Sequence, residues 1–195
     1  MLKLDHLAVA CTDLDEGTAW VEERLGATMQ SGGQHARYGT HNRLLGLADG
    51  IYLEVIAIDP DVSIDGPRWF GLDRFSGPPR LANWICQTDD FATAPADVGP
   101  PRDLKRDDLH WQLTVPDNGS LPWGGAYPTL IKWSEGVHPS KALTDAGCRL
   151  IRFEISHPDP DLPAVVGMDD PRLHFKTGPL GFGALIATPH GERHL

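Results

Sequence analysis

Leu4-Asp5-His6-Leu7-Ala8-Val9 and Ile51-Tyr52-Leu53-Glu54-Val55-Ile56 read as β-strands, and each sets an ionisable side chain in an otherwise apolar run. Strand side chains alternate faces, so Leu4, His6, Ala8 and Ala10 are expected on one face and Leu7 and Val9 on the other. In the later strand Tyr52, Glu54, Ile56 and Ile58 share a face. Between the two lies a polar segment, Gly32-Gly33-Gln34-His35-Ala36-Arg37-Tyr38-Gly39-Thr40-His41-Asn42-Arg43-Leu44. An imidazole and a carboxylate facing one concavity suit divalent-metal binding or proton transfer. A glutamate in such a strand is costly unless it is exposed, paired or bound to a cation, and His6 is its natural partner. Two plain alternatives stay open: a hydrogen-bonded structural histidine, and a glutamate facing solvent.

Working outward, Asp13 stands three residues before Glu16 in a capping-box arrangement. Leu14, Thr18, Val21 and Leu25 follow at helical spacing, and Gly26 ends the helix without a Cβ to resist a left-handed cap. A short strand over 28–32 and strands over 41–47 and 51–58, the last two joined at Ala48-Asp49-Gly50, complete a βαβββ order. A second start, Leu81-Ala82-Asn83-Trp84-Ile85-Cys86-Gln87-Thr88-Asp89-Asp90, can be laid on Leu4 to Asp13, with strands expected at 110–115 and 128–133. A third start is Leu150-Ile151-Arg152-Phe153-Glu154-Ile155, followed by a short helix over 159–166 and strands at 172–176 and 183–188. The expected class is α+β. Paired βαβββ modules, residues 1–60 and a degenerate 80–135, form a sheet-built cup, and a βαββ-like segment covers 147–190 of a single 1–195 domain. The proline-rich connection 59–79 either covers a site or lies against the body.

Length and composition limit the partners. A chain of 195 residues with 41% hydrophobic and 23% charged residues needs no disulfides to hold a core. Three widely spaced cysteines, Cys11, Cys86 and Cys148, argue against a disulfide framework and fit a reducing compartment. No apolar run has the length of a signal sequence or a membrane span, so a cytoplasmic location away from membranes is expected. A net charge of -10 disfavours nucleic acid. The one basic concentration, Arg102, Lys105 and Arg106, is interrupted by Asp103, Asp107 and Asp108 and reads as a solvated loop. A homodimer and a monomer are both compatible with the sequence.

Aligning the three starts places His6, Asn83 and Arg152 at equivalent positions. A recurring polar position in apolar strands suggests a wet concave surface, although a solvent-facing sheet would alternate in the same way. Arg37, Arg43 and Arg152 are candidates to hold a carboxylate. Tyr52 and Trp133 are candidates to stack on a flat ligand, and Asn42 either touches ligand or fixes the loop. His41 is the candidate proton shuttle. Elbow serines and phosphate-binding glycine loops are absent from the sequence.

These segments, together with Asp13-Leu14-Asp15, Gly39-Thr40-His41-Asn42-Arg43-Leu44, Pro128-Thr129-Leu130-Ile131-Lys132-Trp133 and Ile155-Ser156-His157-Pro158-Asp159, resemble glyoxalase-like domains of the vicinal-oxygen-chelate superfamily. The resemblance covers about residues 3–190. It implies metal ligation by His6 and Glu54, with two further ligands from the paired module. There the sequence offers Asn83, and no carboxylate among Ile131, Lys132 and Trp133. His35, His41 and Glu154 are the substitutes available. With a divalent metal such as Zn, Ni, Mn or Fe, the resemblance implies a lyase or isomerase acting on a substrate with vicinal oxygens, Glu54 and His41 serving catalysis. Without one, the cup is expected to bind a small carboxylate-bearing or aromatic ligand. A cup that is merely solvated is the third alternative.

Overall fold

A computed structural model describes residues 1–106, 108–136 and 138–195, so Asp107 of the basic stretch lies outside the described residues. The first module runs β1 (Lys3–Ala10), α1 (Leu14–Leu25), β2 (Gln30–His35), β3 (Thr40–Gly46) and β4 (Tyr52–Ile58). The Asp13 side chain accepts from the Glu16 amide at 2.8 Å, and Gly26 caps α1 in the left-handed region at φ 64°. The second module runs β5 (Arg80–Gln87), β6 (Pro101–Arg106), β7 (Leu109–Thr114) and β8 (Thr129–Trp133), with a 3-10 turn at Ala96–Val98 where the first module has its helix. The C-terminal segment runs β9 (Arg149–His157), α2 (Leu162–Val166), β10 (Leu173–Thr177), β11 (Gly181–Thr188) and β12 (Gly191–His194).

The two modules join through β1 and β5 into one curved eight-stranded sheet of order β2-β3-β4-β1-β5-β8-β7-β6. Its edge strands, β2 and β6, approach each other and leave the cup nearly closed. The convex back buries Leu7, Val9, Leu53, Val55, Trp84 and Cys86 beneath α1 and a separate four-stranded sheet of order β10-β9-β11-β12. Each fully buried aliphatic or aromatic side chain in that layer contributes roughly 1.5–3 kcal/mol. The concave side carries a second apolar cluster with Ala8, Ile56, Ile85, Trp111, Leu113 and Ile131, roofed by Trp69 and Leu72 from the connection after β4.

Two features depart from simple reading. The stretch 101–106 is a strand, not a solvated loop: its backbone pairs with β7 from Pro101↔Thr114 to Arg106↔Leu109, and Leu104 packs on Trp111 in the cup cluster. Tertiary pairing overrides the low strand propensity of an Arg-Asp-Leu-Lys-Arg run. The third repeat does not extend the cup; β9 lies in the second sheet, behind the first. Arg152 is therefore not equivalent to His6 in space. It pairs with Glu154 at 3.0 Å, and Lys176 reaches the same carboxylate at 2.7 Å.

Candidate functional site

A β-bulge builds the floor of the site. Across β1 and β5 the register runs Leu4↔Cys86 and then His6↔Ile85, so Asp5 is the extra residue. The bulge breaks the expected alternation: Leu4 joins the back cluster, while Asp5 and His6 both serve the concave side. Asp5 is fully buried. Its Oδ1 lies 2.5 Å from His6 Nδ1, and its Oδ2 accepts from Gln87 Nε2 at 2.7 Å, Trp133 Nε1 at 2.8 Å and His138 Nε2 at 3.0 Å. The His138 tautomer follows from its other nitrogen, which accepts from the Ser140 amide.

With Nδ1 held by Asp5, His6 turns Nε2 toward Glu54 Oε2 at 3.6 Å, and its ring stacks on Tyr52 with centroids 4.3 Å apart. Glu54 Oε1 accepts from Asn42 Nδ2 at 2.5 Å. Asn42 Oδ1 in turn accepts from the Gly33 amide at 2.8 Å and faces Arg106 at 3.4 Å. Arg106 crosses the seam between the two sheet edges and also donates to His35 Nε2 at 3.3 Å. The glycine pair makes this crossing possible. A Cβ at Gly33 would lie 2.7 Å from Arg106 Cδ, and one at Gly32 would strike Asn42. The chain Asp5–His6–Glu54–Asn42–Arg106–His35 thus runs from the floor to the seam.

The electrostatics follow from burial and partners. Burial alone would lower the His6 pKa, but the hydrogen bonds and charges of Asp5 and Glu54 prevail and raise it from 6.5 to about 9. Burial would raise Glu54; the His6 hydrogen bond and charge reverse this and hold the carboxyl below its usual range. Asp5 is likewise held well below a normal carboxylate, its hydrogen bonds from His138 and His6 outweighing burial. His35 goes the other way: burial, with the Arg106 charge, lowers it to about 4 against the pull of Glu54. Its neutral ring accepts from Arg106 on Nε2 and faces Thr40 Oγ1 at 3.1 Å on Nδ1.

The cavity here is small, about 40 Å³, below the usual size of a drug-like ligand pocket. His6, Asn42, Tyr52, Glu54 and Trp133 line it, together with Arg106 from the stretch whose charges suggest a solvated loop. Four residues singled out from sequence lie elsewhere. His41 and Arg43 pair with Ala57 and Val55 and so share the back face, opposite to Asn42. Arg37 is exposed at the turn after β2, where it donates to the Asp103 carbonyl at 3.1 Å. Arg152 lies in the second sheet. The signal for Asp5 was present as a second acid in an apolar strand, but the bulge that turns it inward depends on pairing with β5.

A four-ligand metal centre does not fit these residues. In the parallel pairs β1·β4 and β5·β8, Ala8↔Glu54 is matched by Ile85↔Thr129, and the β1·β5 pairs His6↔Ile85 and Ala8↔Asn83 relate His6 to Asn83. The counterparts of His6 and Glu54 are therefore Asn83 and Thr129. They are buried and neutral, and Asn83 Nδ2 donates to Thr129 Oγ1 at 3.0 Å. Among the described residues, no three His, Cys, Asp or Glu side chains converge to hold an ion.

The model of the glyoxalase-like domain family matches residues 4–166, and the chain belongs to that family, within the vicinal-oxygen-chelate superfamily. A hypothetical protein from Staphylococcus aureus is similar in structure, with TM-score 0.59 and 18% identity over 84% of this chain and 72% of that one, a likeness of fold. Methylmalonyl-CoA epimerase from Mycobacterium tuberculosis gives TM-score 0.42 and 16% identity over 67% and 85% of the two chains. The Streptomyces coelicolor epimerase in complex with 2-nitronate-propionyl-CoA gives 0.43 and 14% over 69% and 98%. Likenesses at that level carry no argument about activity. No curated protein matches the chain.

Proposed function

We propose that the cup binds a small anionic ligand without a resident metal, Arg106 holding the anionic oxygen and the aromatic wall taking the ligand's flat or apolar part. One observation carries this reading: the partly buried Arg106 guanidinium reaches the cavity with no carboxylate in ion-pair contact among the described residues. A guanidinium drawn partly out of water and left without an anion has strong cause to take one, and its planar fork matches a carboxylate. Trp133 and Tyr52 supply aromatic surface to the same cavity.

A second reading is isomerase- or lyase-like proton transfer on a ligand with neighbouring oxygens. It is favoured by the placement of His6 Nε2 and Glu54 Oε2, 3.6 Å apart at one cavity. Binding is preferred because a carboxylate held low and an imidazolium held high are both poorly poised for proton exchange near neutral pH. His41 has no part in either reading.

Calorimetric titration with butanoate and benzoate, on wild type and Arg106→Met, tests the proposal. Saturable binding is expected, weakened at least about tenfold in the variant, as loss of a charged hydrogen bond implies. Equal affinity in both proteins would defeat the assignment of Arg106.

A further inference from the structure

The cup cavity takes only a small ligand, yet a second, far larger space shares a lining residue with it. A cleft of about 640 Å³ lies at the start of β5, walled by the connections after β4 and before β8, by Trp20 of α1 and by the start of β11, with Leu81, Leu121 and Phe182 among its residues. Phe70 lines both spaces. That residue sits in the left-handed region, φ 57° and ψ 20°, where a side chain is strained, and Gly71 follows at φ 66°. Strain of this kind collects at ligand clamps and switch segments. The ring is held there by stacking on Trp69, centroids 4.9 Å apart and planes within 5°, while Trp69 donates to Thr40 Oγ1 at 3.1 Å. Behind it the Gly71 amide is pinned to the Gly119 carbonyl at 2.7 Å. At the cleft, Leu180 is 48% exposed.

We infer that cup and cleft are one divided site, and that the ligand is an amphipathic carboxylate: its head at Arg106, its alkyl or arylalkyl tail in the cleft, with the Phe70 ring turned aside to let the tail pass. The inference rests on the anion reading of the cup and adds the ligand class to it. The cleft is suited to a tail because most of the residues lining it are aliphatic or aromatic. Of the two arginines that line it, Arg74 is exposed to solvent and Arg80 is engaged, donating to the Ser76 and Pro78 carbonyls and lying 4.1 Å above the Phe75 ring. A tail burying its methylenes there gains the hydrophobic term that the small cup cannot offer.

The test is a chain-length series, butanoate to dodecanoate, each below its micelle concentration, titrated into wild type, Leu180→Asp, Phe70→Ala and Arg106→Met. Leu180 is exposed enough for the acid to be tolerated by the fold. Affinity is expected to rise about fourfold per methylene once the tail reaches the cleft. Leu180→Asp is expected to flatten that rise while leaving butanoate unchanged, and Phe70→Ala to start it at shorter chains. Uniform affinity along the series, with Arg106 dependence intact, would overturn the divided site and leave the head site standing. A rise indifferent to both Leu180→Asp and Arg106→Met would mark non-specific adsorption and overturn it too. No binding at any length would overturn the head site and the inference together.

Discussion

His35 has a folded pKa of about 4 against an ordinary 6.5, because burial and Arg106 oppose its charging. Between those values the unfolded chain binds a proton that the folded chain does not, so stability rises with pH across the window and falls as pH drops through it. The loss amounts to about 3 kcal/mol by the lower end. Urea midpoints from pH 7 to 4.5 are expected to fall steeply in wild type and less in His35→Gln; parallel slopes would show that His35 is not the group responsible. Asp5 gives the second prediction. It accepts from His6, Gln87, Trp133 and His138 while fully buried, so Asp5→Asn leaves unmatched donors and a buried imidazolium. A loss of about 3–5 kcal/mol in denaturant unfolding is expected, and a loss under about 1 kcal/mol, the level of a surface ion pair, would contradict the network. At this scale the sequence was half legible. Alternation turned His6 and Glu54 inward because their neighbours are plainly apolar. Asp5 and Arg106 were hidden, the first by a bulge set from a distant strand, the second because its run of alternating charges has no apolar face.

Elements with local punctuation were readable. The Asp13 cap, the apolar stripe and Gly26 mark α1, and the Ala48-Asp49-Gly50 turn separates β3 from β4. β6 was not readable, since its strand character comes from pairing with β7 and from Leu104 alone on the cup side. Its position matters because β6 and β2 are the edges that Arg106 bridges. The register shift in β2 between Ser31 and Gln34 places Gly32 and Gly33 against Asn42 and Arg106. Gly33→Ala is therefore expected to displace the flexible Arg106 stem and not the backbone. The anion affinity measured by titration should drop several-fold while thermal stability changes by less than about 1 kcal/mol. Unchanged affinity would show that Arg106 does not need the seam to reach the cup.

At the scale of the molecule, the second sheet is not an appendage. Phe153 is fully buried, tilted against Trp84 at a centroid distance of 5.8 Å and stacked with Phe182 at 6.0 Å, so the two sheets share one apolar layer. Phe153→Ala is expected to cost about 3–5 kcal/mol and to lower a single unfolding transition; two separated transitions would show sheets that fold independently. The three starts revealed the repeated order of elements, but not that the third would back the cup instead of enlarging it. That arrangement depends on which apolar faces meet, a non-local matter that single-strand patterns do not encode. The central claim is that this cup holds an anion through Arg106 and needs no metal. It is tested most directly by titrating butanoate into protein passed over a chelating resin, and again after Zn²⁺ is restored. The account predicts the same affinity in both titrations, lost in Arg106→Met; binding that appears only with the metal restored would contradict it.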